Sequence, residues 1–535
     1  MTSLNRRTFV KQVALVTGGL GFVPLLPGCG TTRRTAGSSK LPRSTPEAEG
    51  VSSANILVFL DAVGRSHHEL HSFMFARHGR VIAEGWWFPY GPQFNHTLYS
   101  LSKSFTSTGV GFAVAEGKLR VDDRVVTFFP EDLPSPVNER LAALRVKDLL
   151  TMSAGHAKEP TSEMVKQENW ARTFLGWPMD NQPGSTFLYN SGATYMLSAI
   201  VQKTTGQKLI DYLTPRLFEP LGIEGETWET CPRDINVGGW GLGVQTESLA
   251  KVGQMYLQQG RWQGRQLLPA AWVNEATTFK IQQPAPAKPS RPNSENDWLQ
   301  GYCYQFWRCR HGAFRGDGAF GQFLVVMPGQ DAVVAITAET GNMPGELDLV
   351  WDHLLPAMKE SPLPRDQALQ AGLERRLASL ELRPPNGRSA SPRAARVSEK
   401  VFTLANNGLG LESVAFTFRP EGCTFAFRDK DGEYPIAWGY ERWQRGETAL
   451  PGTPPRLVSG GAPKRGTKSK VAASGTWRDD DTLELVLRYY ETPHHDTITC
   501  QFEGDDAVQI GFMSSIARMS ASPKDSRPIL EGKLS

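Results

Sequence analysis

The sequence predicts an α+β fold, an antiparallel sheet flanked by helices with a helical subdomain, followed by an all-β domain. Near the start of the globular part, HSFMFARHGRVIAEGWWF alternates apolar and polar residues across an HGR turn, as a β-hairpin does. Helical spacing then dominates to about Met358. The strand-like runs GQFLVVMPGQ and DAVVAITAET return late in this stretch. Strands at both ends of a helical middle indicate one shared antiparallel sheet.

Composition divides the chain further. GTTRRTAGSSKLPRSTPEAEG has too few large apolar residues to form a core, and PPNGRSASPRAAR has the Pro, Ser and Arg content of a linker. Alternating runs joined by Gly/Asp turns, such as AASGTWRDDDTLELVLRYY, follow this linker. The predicted segments are an export signal (1–29), a tether (30–46), the α+β domain (47–360), a helix and linker (361–398), the β domain (399–520) and a tail (521–535).

The N-terminus predicts export from the cytoplasm. Arg6 and Arg7 precede a Gly-interrupted apolar stretch that is weak for a membrane span, and this pattern resembles a twin-arginine signal. The alternative is that the two arginines form the basic region of a general secretory signal. Leu26-Pro27-Gly28-Cys29 resembles a lipoprotein cleavage box, so we expect Cys29 to carry lipid and attach the protein to a membrane as a periplasmic or envelope lipoprotein.

Charge and cysteine usage exclude other classes. The formal net charge of +3 over 535 residues, without a long Lys/Arg block, argues against nucleic-acid binding. Cysteines other than Cys29 are scattered without CxxC spacing, so we do not expect a metal site built from cysteine. We expect these residues to be buried thiols. Cys303 and Cys309 are near enough in sequence to pair across a turn, which stays open. Oligomeric state stays open as well.

Two histidine clusters are assigned to structure. SHHELH, with His67, His68, Glu69 and His71, is one residue short of an H-E-x-x-H zinc motif, which indicates a polar helix end. His494 and His495 fall in a predicted turn between strands and carry no recognisable motif. We therefore expect no metal and no organic cofactor.

The strongest chemical signal is LYSLSKSFTSTGVG. It places Ser100 and Lys103 at positions i and i+3 where a helix begins, so that the two side chains share a face. A serine hydroxyl needs a base to become a nucleophile, and a lysine kept neutral by burial beside the positive helix end can serve. The helix N-terminus also favours negative charge on an attacked carbonyl oxygen.

S-x-x-K is a weak motif by itself, and the chain contains a second one. Ser248 and Lys251 lie in TESLAKVGQMYLQQ, where Thr246 is a candidate N-cap. Nothing chemical accompanies this pair, so it is predicted to be an ordinary solvated helix face.

Further residues accompany Ser100 downstream. PGSTFLYNSGATYMLSAIV supplies Tyr189 and Ser191 before a new helix. A tyrosine phenol there can relay a proton, or it can form a structural hydrogen bond at the helix entrance. FRGDGAFGQFLVVMPGQ places glycines at a buried strand, where a backbone can approach a substrate or form a bulge. Trp240, in GGWGLG, is expected either to line a pocket or to pack.

Together these motifs resemble the serine β-lactamase and penicillin-binding-protein superfamily, near the class C β-lactamase, esterase and nylon-oligomer-hydrolase branch. The order S-L-S-K, Y-N-S and Gly-rich strand is the family's order, and LRVKDLLTMSAGH is similar to a family segment. The resemblance covers about Glu47 to Met358 and implies a β-lactamase-like fold. It also implies that Ser100 is acylated, Lys103 is the base, Tyr189 shares proton transfer, and the N–H groups of Ser100 and Ala319 form the oxyanion hole.

Two departures bear on the substrate. Ser191 stands where the family's β-lactamases usually have Asn, and Gly316-Asp317-Gly318 replaces K-T-G, so the cation that would bind a substrate carboxylate is missing. An unpaired Asp317 would repel such a carboxylate and suit a neutral or amine-bearing substrate.

We therefore expect hydrolysis of a small ester or short amide without a cofactor. D-amino-acid peptidase or β-lactamase activity is the alternative within the family. From another class, the alternative is a non-catalytic envelope binder or sensor on the same scaffold. The absence of a G-x-S-x-G elbow argues against an α/β-hydrolase.

Overall fold

A computed structural model describes residues 40–458 and 467–535, which belong to one compact unit. The predicted export signal, its Cys29 and most of the predicted tether lie outside the described residues. Within the described ranges, no helix combines the length and the apolar character needed to cross a bilayer.

Between residues 40 and 400, short strands and helices alternate. The strands are β1 (Glu69–Arg77), β2 (Arg80–Trp86), β3 (His96–Thr97), β4 (Thr227–Trp228), β5 (Leu242–Val244), β6 (Arg261–Trp262), β7 (Arg265–Gln266), β8 (Trp307–Arg308), β9 (Phe314–Gly318), β10 (Gln322–Met327) and β11 (Ala332–Glu339). The α-helices are α1 (Ser53–Arg65), α2 (Ser102–Ala115), α3 (Glu139–Ala143), α4 (Val146–Leu150), α5 (Thr161–Met164), α6 (Trp170–Leu175), α7 (Ser191–Thr205), α8 (Leu209–Leu213), α9 (Glu219–Leu221), α10 (Thr246–Leu257), α11 (Ala270–Thr277), α12 (Met343–Leu349), α13 (Gln367–Ala378) and α14 (Pro392–Val397).

The main sheet confirms the predicted α+β architecture. It has six antiparallel strands in the order β2-β1-β11-β10-β9-β8, so strands from both ends of the domain pair with each other. The hairpin predicted from alternation is β1 and β2, joined at His78 and Gly79. The strands come together in this way because the apolar residues of both chain ends must share one core.

Both faces of the main sheet are covered. Along β1, Phe73 and Phe75 pack into a core with α1, α12 and α13, while Met74 and Ala76 pack into a second core with α2, α7 and α10. This alternation is the two-residue period of a strand. A sheet buried on both faces is rigid, so it can hold α2 in a defined position.

Helix α2 runs through the centre of the second core and is buried along nearly its whole length. Its small residues have a steric reason: a Cβ added at Gly109 would lie 2.5 Å from Leu209, and one at Gly111 would lie 2.4 Å from Trp272. The helix ends at Ala115, and Gly117 adopts a left-handed φ of +67° just beyond, as is typical of a helix C-terminus.

The C-terminal part is the predicted all-β domain. Its elements are β12 (Val401–Leu404), β13 (Leu411–Arg419), β14 (Gly422–Asp429), β15 (Gly432–Tyr440), β16 (Gln444–Thr448), β17 (Ser469–Trp477), β18 (Thr482–Arg488), β19 (His495–Glu503), β20 (Ala507–Ser514), α15 (Ser515–Arg518) and β21 (Leu530–Leu534). The strands form one ten-stranded sheet, and a parallel pairing of β15 with β17 closes it into a barrel around its own aromatic-rich core.

Two predictions about local structure are wrong. Leu530–Leu534, in the segment predicted as a tail, form β21, which lies between β12 and β20; a short strand far along the chain has no local signal. Glu69 and His71, predicted at a helix end, lie in β1, because α1 already ends at Arg65.

The second S-x-x-K pair is buried rather than solvated, so that prediction is also wrong. Ser248 and Lys251 lie in α10, which packs on the main sheet, and the Lys251 ammonium donates to the Gly222 carbonyl at 2.8 Å. Gln245, rather than Thr246, is the N-cap residue. The pair is structural, but as part of the core.

Candidate functional site

The site begins with a 3₁₀ turn, Tyr99–Leu101, that leads directly into α2. Ser100 is half-buried in this turn, and Lys103 lies in the first turn of α2 with 2% of its surface exposed. The i, i+3 spacing brings the Lys103 Nζ to 3.1 Å from the Ser100 Oγ. The structure therefore places an amine against a hydroxyl at the helix N-terminus.

Lys103 has three close partners. Its Nζ lies 2.7 Å from the Gly239 carbonyl oxygen, 3.0 Å from the Ser191 Oγ and 3.1 Å from the Ser100 Oγ. A neutral amine has two N–H groups and one lone pair, so it can donate to Gly239 and Ser191 and accept from the Ser100 hydroxyl. The geometry suits a neutral lysine.

Burial explains why the neutral form is accessible. Desolvation lowers the pKa of Lys103 to about 7, although the negative charges of Glu159 and Asp317 oppose this shift. An amine with this pKa has a free lone pair in a large fraction of molecules at neutral pH. It can therefore take the Ser100 proton.

Tyr189 lies in the loop before α7. Its ring stacks on Trp307 with centroids 5.7 Å apart and lies 4.9 Å from the Lys103 Nζ. Burial and the charge of Asp317 raise the pKa of Tyr189, and a side-chain hydrogen bond with Ser100 opposes the rise. The phenol is thus protonated at neutral pH and lies beside the Lys103 amine, where it can donate a proton.

Glu159 is a site residue that the sequence reasoning missed. Its Oε1 accepts the backbone N–H groups of Ser191 at 3.0 Å and Gly192 at 3.3 Å, at the start of α7. It thereby holds Ser191 against Lys103 and supplies a negative charge near the amine. No motif marks Glu159, because it reaches α7 from a loop about thirty residues earlier.

The glycines of β9 allow that strand to approach the nucleophile segment. A Cβ at Gly316 would lie 2.7 Å from the Ser104 Oγ, and one at Gly318 would lie 2.0 Å from the Leu98 carbonyl oxygen. Any side chain at Gly318 would push β9 away from the turn that holds Ser100. Ala319 is the next residue and is half-exposed. Its assignment as an oxyanion donor stays a prediction.

Asp317 is paired, which the sequence left open. Its carboxylate forms a salt bridge with Arg315 at 2.9 Å, and both side chains are buried. Arg315 lies over the Trp298 ring at 4.2 Å and also donates to the Cys309 sulfur. Burial raises the pKa of Asp317, and Arg315 opposes the rise. The expected repulsion of a substrate carboxylate is therefore largely neutralised, but the guanidinium is also occupied.

Trp240 packs rather than presenting an open face. It is 4% exposed and stacks on Trp170 with ring centroids 5.8 Å apart. With Tyr99 and Arg456 it borders a cavity of about 80 Å³. The carbonyl that Lys103 contacts belongs to Gly239, the residue before Trp240.

His494 and His495 approach the site from the barrel, which was not predicted. The turn between β18 and β19 brings the His494 Nδ1 to 2.8 Å from the Glu339 Oε1 and the His495 Nδ1 to 2.8 Å from the Glu339 Oε2. Burial alone would raise the pKa of Glu339, but these two hydrogen bonds hold it well below its usual range. The barrel thus pairs with the last residue of β11.

One trio of potential metal ligands occurs in residues 40–458 and 467–535. Ligand atoms of Glu69, Glu339 and His495 lie within 4.8 Å of one another. Arg488 already pairs with Glu69 at 2.6 Å, and Glu339 already accepts from the histidines. A guanidinium beside the trio disfavours a cation. The trio is satisfied as an ion-pair cluster.

The cysteines within the described ranges are free and buried, so Cys303 and Cys309 are not paired. Cys309 instead accepts a hydrogen bond from Arg315 at 3.1 Å. Burial raises the pKa of Cys303 to about 12, which removes it as a nucleophile at neutral pH.

The family model for Beta-lactamase matches residues 68–357, more than half of the chain. The 6-aminohexanoate-dimer hydrolase of Paenarthrobacter ureafaciens is 25% identical over 283 residues, which cover 49% of this chain and 71% of that protein. An Escherichia coli (strain K12) protein provisionally named as a D-alanyl-D-alanine carboxypeptidase is 30% identical over 151 residues, covering 24% of this chain and 33% of its own length.

Among solved structures, EstCE1, a hydrolase with promiscuous acyltransferase activity, superposes with a TM-score of 0.46 at 16% identity, covering 56% of this chain and 98% of that chain. The family match spans the main sheet and the segments that carry Ser100, Lys103 and Tyr189. The chain therefore belongs to the beta-lactamase family and is a serine hydrolase of the beta-lactamase fold.

Proposed function

We propose that this chain hydrolyses small esters or short amides through an acyl-enzyme formed on Ser100. The observation that carries the proposal is the 3.1 Å contact between the Ser100 Oγ and a buried Lys103 whose pKa is about 7. A nucleophile needs a base within hydrogen-bond reach, and a base is most effective when its pKa is near the working pH. Both conditions hold here.

In the first step Lys103 takes the Ser100 proton, and the Ser100 oxygen bonds to the substrate carbonyl carbon. The negative charge that develops on the carbonyl oxygen would be stabilised by the backbone N–H group of Ser100, next to the helix N-terminus, and by that of Ala319, just after β9. Tyr189, whose ring lies 4.9 Å from the Lys103 Nζ, is placed to pass a proton to the leaving alcohol or amine and to regain one from the protonated Lys103, which returns that amine to its neutral form. In the second step neutral Lys103 takes a proton from the attacking water and passes it to the Ser100 oxygen as the bond to the acyl carbon breaks, which releases the acid and restores the Ser100 hydroxyl.

Charge at the cleft supports a neutral acyl group. Arg315 is fully buried and occupied by Asp317, so this pair offers neither a free cation nor a free anion to a substrate. The family's carboxylate-binding lysine has no counterpart at Gly316-Asp317-Gly318. Substrates without a carboxylate beside the scissile bond are favoured. The amide-hydrolase name of one relative supports including short amides.

A substrate panel tests the proposal. Purified protein is assayed with chromogenic short-chain esters, amide oligomers, D-amino-acid amides and nitrocefin. We expect kcat/KM for an ester or short amide to exceed that for nitrocefin by at least about 100-fold, or about 2.7 kcal/mol in transition-state binding. Nitrocefin as the best substrate would favour the β-lactamase alternative. A burst of acylation without turnover would favour the sensor.

The pH dependence is a further prediction. Below pH 7 the Lys103 amine is protonated and has no lone pair for the Ser100 proton, whereas above pH 7 it is neutral. Ester kcat/KM should therefore rise with pH, with a midpoint at about 7, and then level off. A profile that falls through pH 7 would exclude Lys103 as the base. A Lys251→Met variant, altered at the other S-x-x-K lysine, should keep the same midpoint.

A further inference from the structure

A histidine of the barrel touches the residue that precedes the proposed nucleophile. The Nε2 of His494 lies 2.5 Å from the Tyr99 hydroxyl oxygen, and both side chains are buried. Nearby contacts join the same barrel turn to the nucleophile segment: Thr97 donates its backbone N–H to the Glu491 carbonyl at 2.9 Å. The barrel turn therefore packs directly against the strand and turn that lead to Ser100.

His494 also contacts the other side of the proposed oxyanion hole. Its ring meets Phe320 edge-on with centroids 4.8 Å apart, and Tyr99 and Phe320 meet at 5.4 Å. Tyr99 immediately precedes Ser100, and Phe320 immediately follows Ala319. One barrel side chain thus packs against the neighbours of both proposed oxyanion donors.

Both of these neighbours have an unfavourable backbone conformation. Tyr99 has a φ of +48° and Phe320 a φ of +68°, in the left-handed region that bulky residues seldom adopt. Such conformations persist only where surrounding contacts hold them, and they set the direction of the next peptide N–H. For Tyr99 that next peptide belongs to Ser100. His494 is the side chain that contacts both strained residues.

His494 is itself firmly held. The Glu339 carboxylate accepts from its Nδ1, so the Nδ1 carries the hydrogen and the Nε2 faces Tyr99. Glu339 ends β11 in the middle of the main sheet, and the next residue, Thr340, donates its backbone N–H to the Phe320 carbonyl at 3.1 Å. The Glu339, His494 and Tyr99 chain therefore connects the sheet, the barrel and the nucleophile turn.

We propose that His494 is a positioning residue for acyl transfer: through Tyr99 it orients the backbone N–H group of Ser100, and through Phe320 it packs against the turn that follows Ala319. This inference rests on the proposed function, which assigns the Ser100 N–H group to the oxyanion. It makes the barrel part of the catalytic apparatus rather than an independent module.

The test compares His494 with its neighbour. His494→Leu removes the contact with Tyr99, His494→Gln keeps a polar atom near the Nε2 position, and Tyr99→Phe removes only the hydroxyl. His495→Leu is the matched control. His495 also lies 2.8 Å from the Glu339 carboxylate, but the hydrogen bond to Tyr99 and the ring contact with Phe320 belong to His494. Measurements are kcat, KM, the rate of Ser100 labelling by a serine-directed phosphonate, and the thermal unfolding temperature.

Misplaced oxyanion donors should lower kcat with little change in KM. We expect His494→Leu to lower kcat by about 30-fold, because complete loss of an oxyanion donor lowers kcat by about 100-fold or more. The rate of phosphonate labelling should fall in parallel, and KM should stay within about twofold of wild type. His494→Gln should regain most of the rate. The Tyr99→Phe and His494→Leu double variant should be no slower than His494→Leu alone, and His495→Leu should stay within about twofold of wild type.

Other outcomes overturn the inference. One such outcome is an unchanged kcat in His494→Leu. Another is an equal loss of kcat in His494→Leu and His495→Leu that follows their unfolding temperatures. Either result would mean that His494 only stabilises the fold. If His494→Leu does not fold, the judgement rests on Tyr99→Phe, which loses the hydrogen bond with His494: an unchanged kcat in that variant would overturn the inference in the same way. Failure of the proposed function has a different signature: the phosphonate would not label Ser100 in the wild-type protein.

Discussion

Exchanging Ser100 for alanine is expected to lower turnover of a chromogenic short-chain ester by at least about 10⁴-fold, the range seen when an enzyme's nucleophile is removed. The variant keeps the fold, because Ser100 is only half-buried and the loss of one hydroxyl leaves no large cavity. Steady-state kinetics measures the effect, and mass spectrometry after phosphonate treatment should find no label on the peptide that contains position 100.

The chain supplies its own control for this experiment. Ser248 has the same S-x-x-K spacing as Ser100 but lies in α10 and packs on the sheet. Ser248→Ala should change ester turnover by no more than about twofold. Loss of activity in Ser248→Ala together with retained activity in Ser100→Ala would move the nucleophile to the second motif. Unchanged activity in both would remove the acyl-enzyme mechanism on either serine.

Exchanging Lys103 for methionine should have the second largest effect. Methionine fills a similar volume but has no amine, so the Ser100 proton has no acceptor at 3.1 Å. General-base catalysis contributes about 10² to 10⁴-fold, and we expect kcat to fall by about 10³-fold, or about 4 kcal/mol. The midpoint near pH 7 should disappear from the residual activity, because the group that titrates there is gone.

Lys251→Met is the matched control for stability. Both lysines are buried and donate to a backbone carbonyl, Gly239 for Lys103 and Gly222 for Lys251, so both variants lose one such hydrogen bond. Each loss costs about 1–3 kcal/mol if the carbonyl is left unpaired. Similar unfolding temperatures with activity lost only in Lys103→Met would separate catalysis from folding. Equal loss of activity in both variants would contradict the role of Lys103.

Local pattern was enough to predict the hairpin of β1 and β2 and a helix that begins around Ser100 and Lys103. These features depend on periodicity, helix termini and turn residues, which act over a few positions. The juxtaposition of Ser100 and Lys103 is of the same kind, because an i, i+3 pair on one helical turn needs no tertiary information. The export signal and Cys29 stay predictions from local motifs.

Pairings between distant segments could not be predicted in this way. Glu159 reaches Ser191 from a separate loop, and His494 reaches Tyr99 from 395 positions away. Neither has a local signal, since carboxylates and histidines in turns are common and solvated. The second S-x-x-K pair shows the same limit, because only the packing of α10 on the sheet buries it.

The local order of the chain thus determined which polar groups meet at the proposed site: a hydroxyl and an amine on one turn, and a tyrosine before a later helix. Folding settled their electrostatics. Burial lowers the pKa of Lys103 to about 7, Arg315 pairs with Asp317, and a turn of the barrel packs on Tyr99. The reason is physical: hydrogen-bond geometry within a turn follows from backbone spacing, whereas desolvation and charge pairing depend on which distant segments exclude water from the same volume.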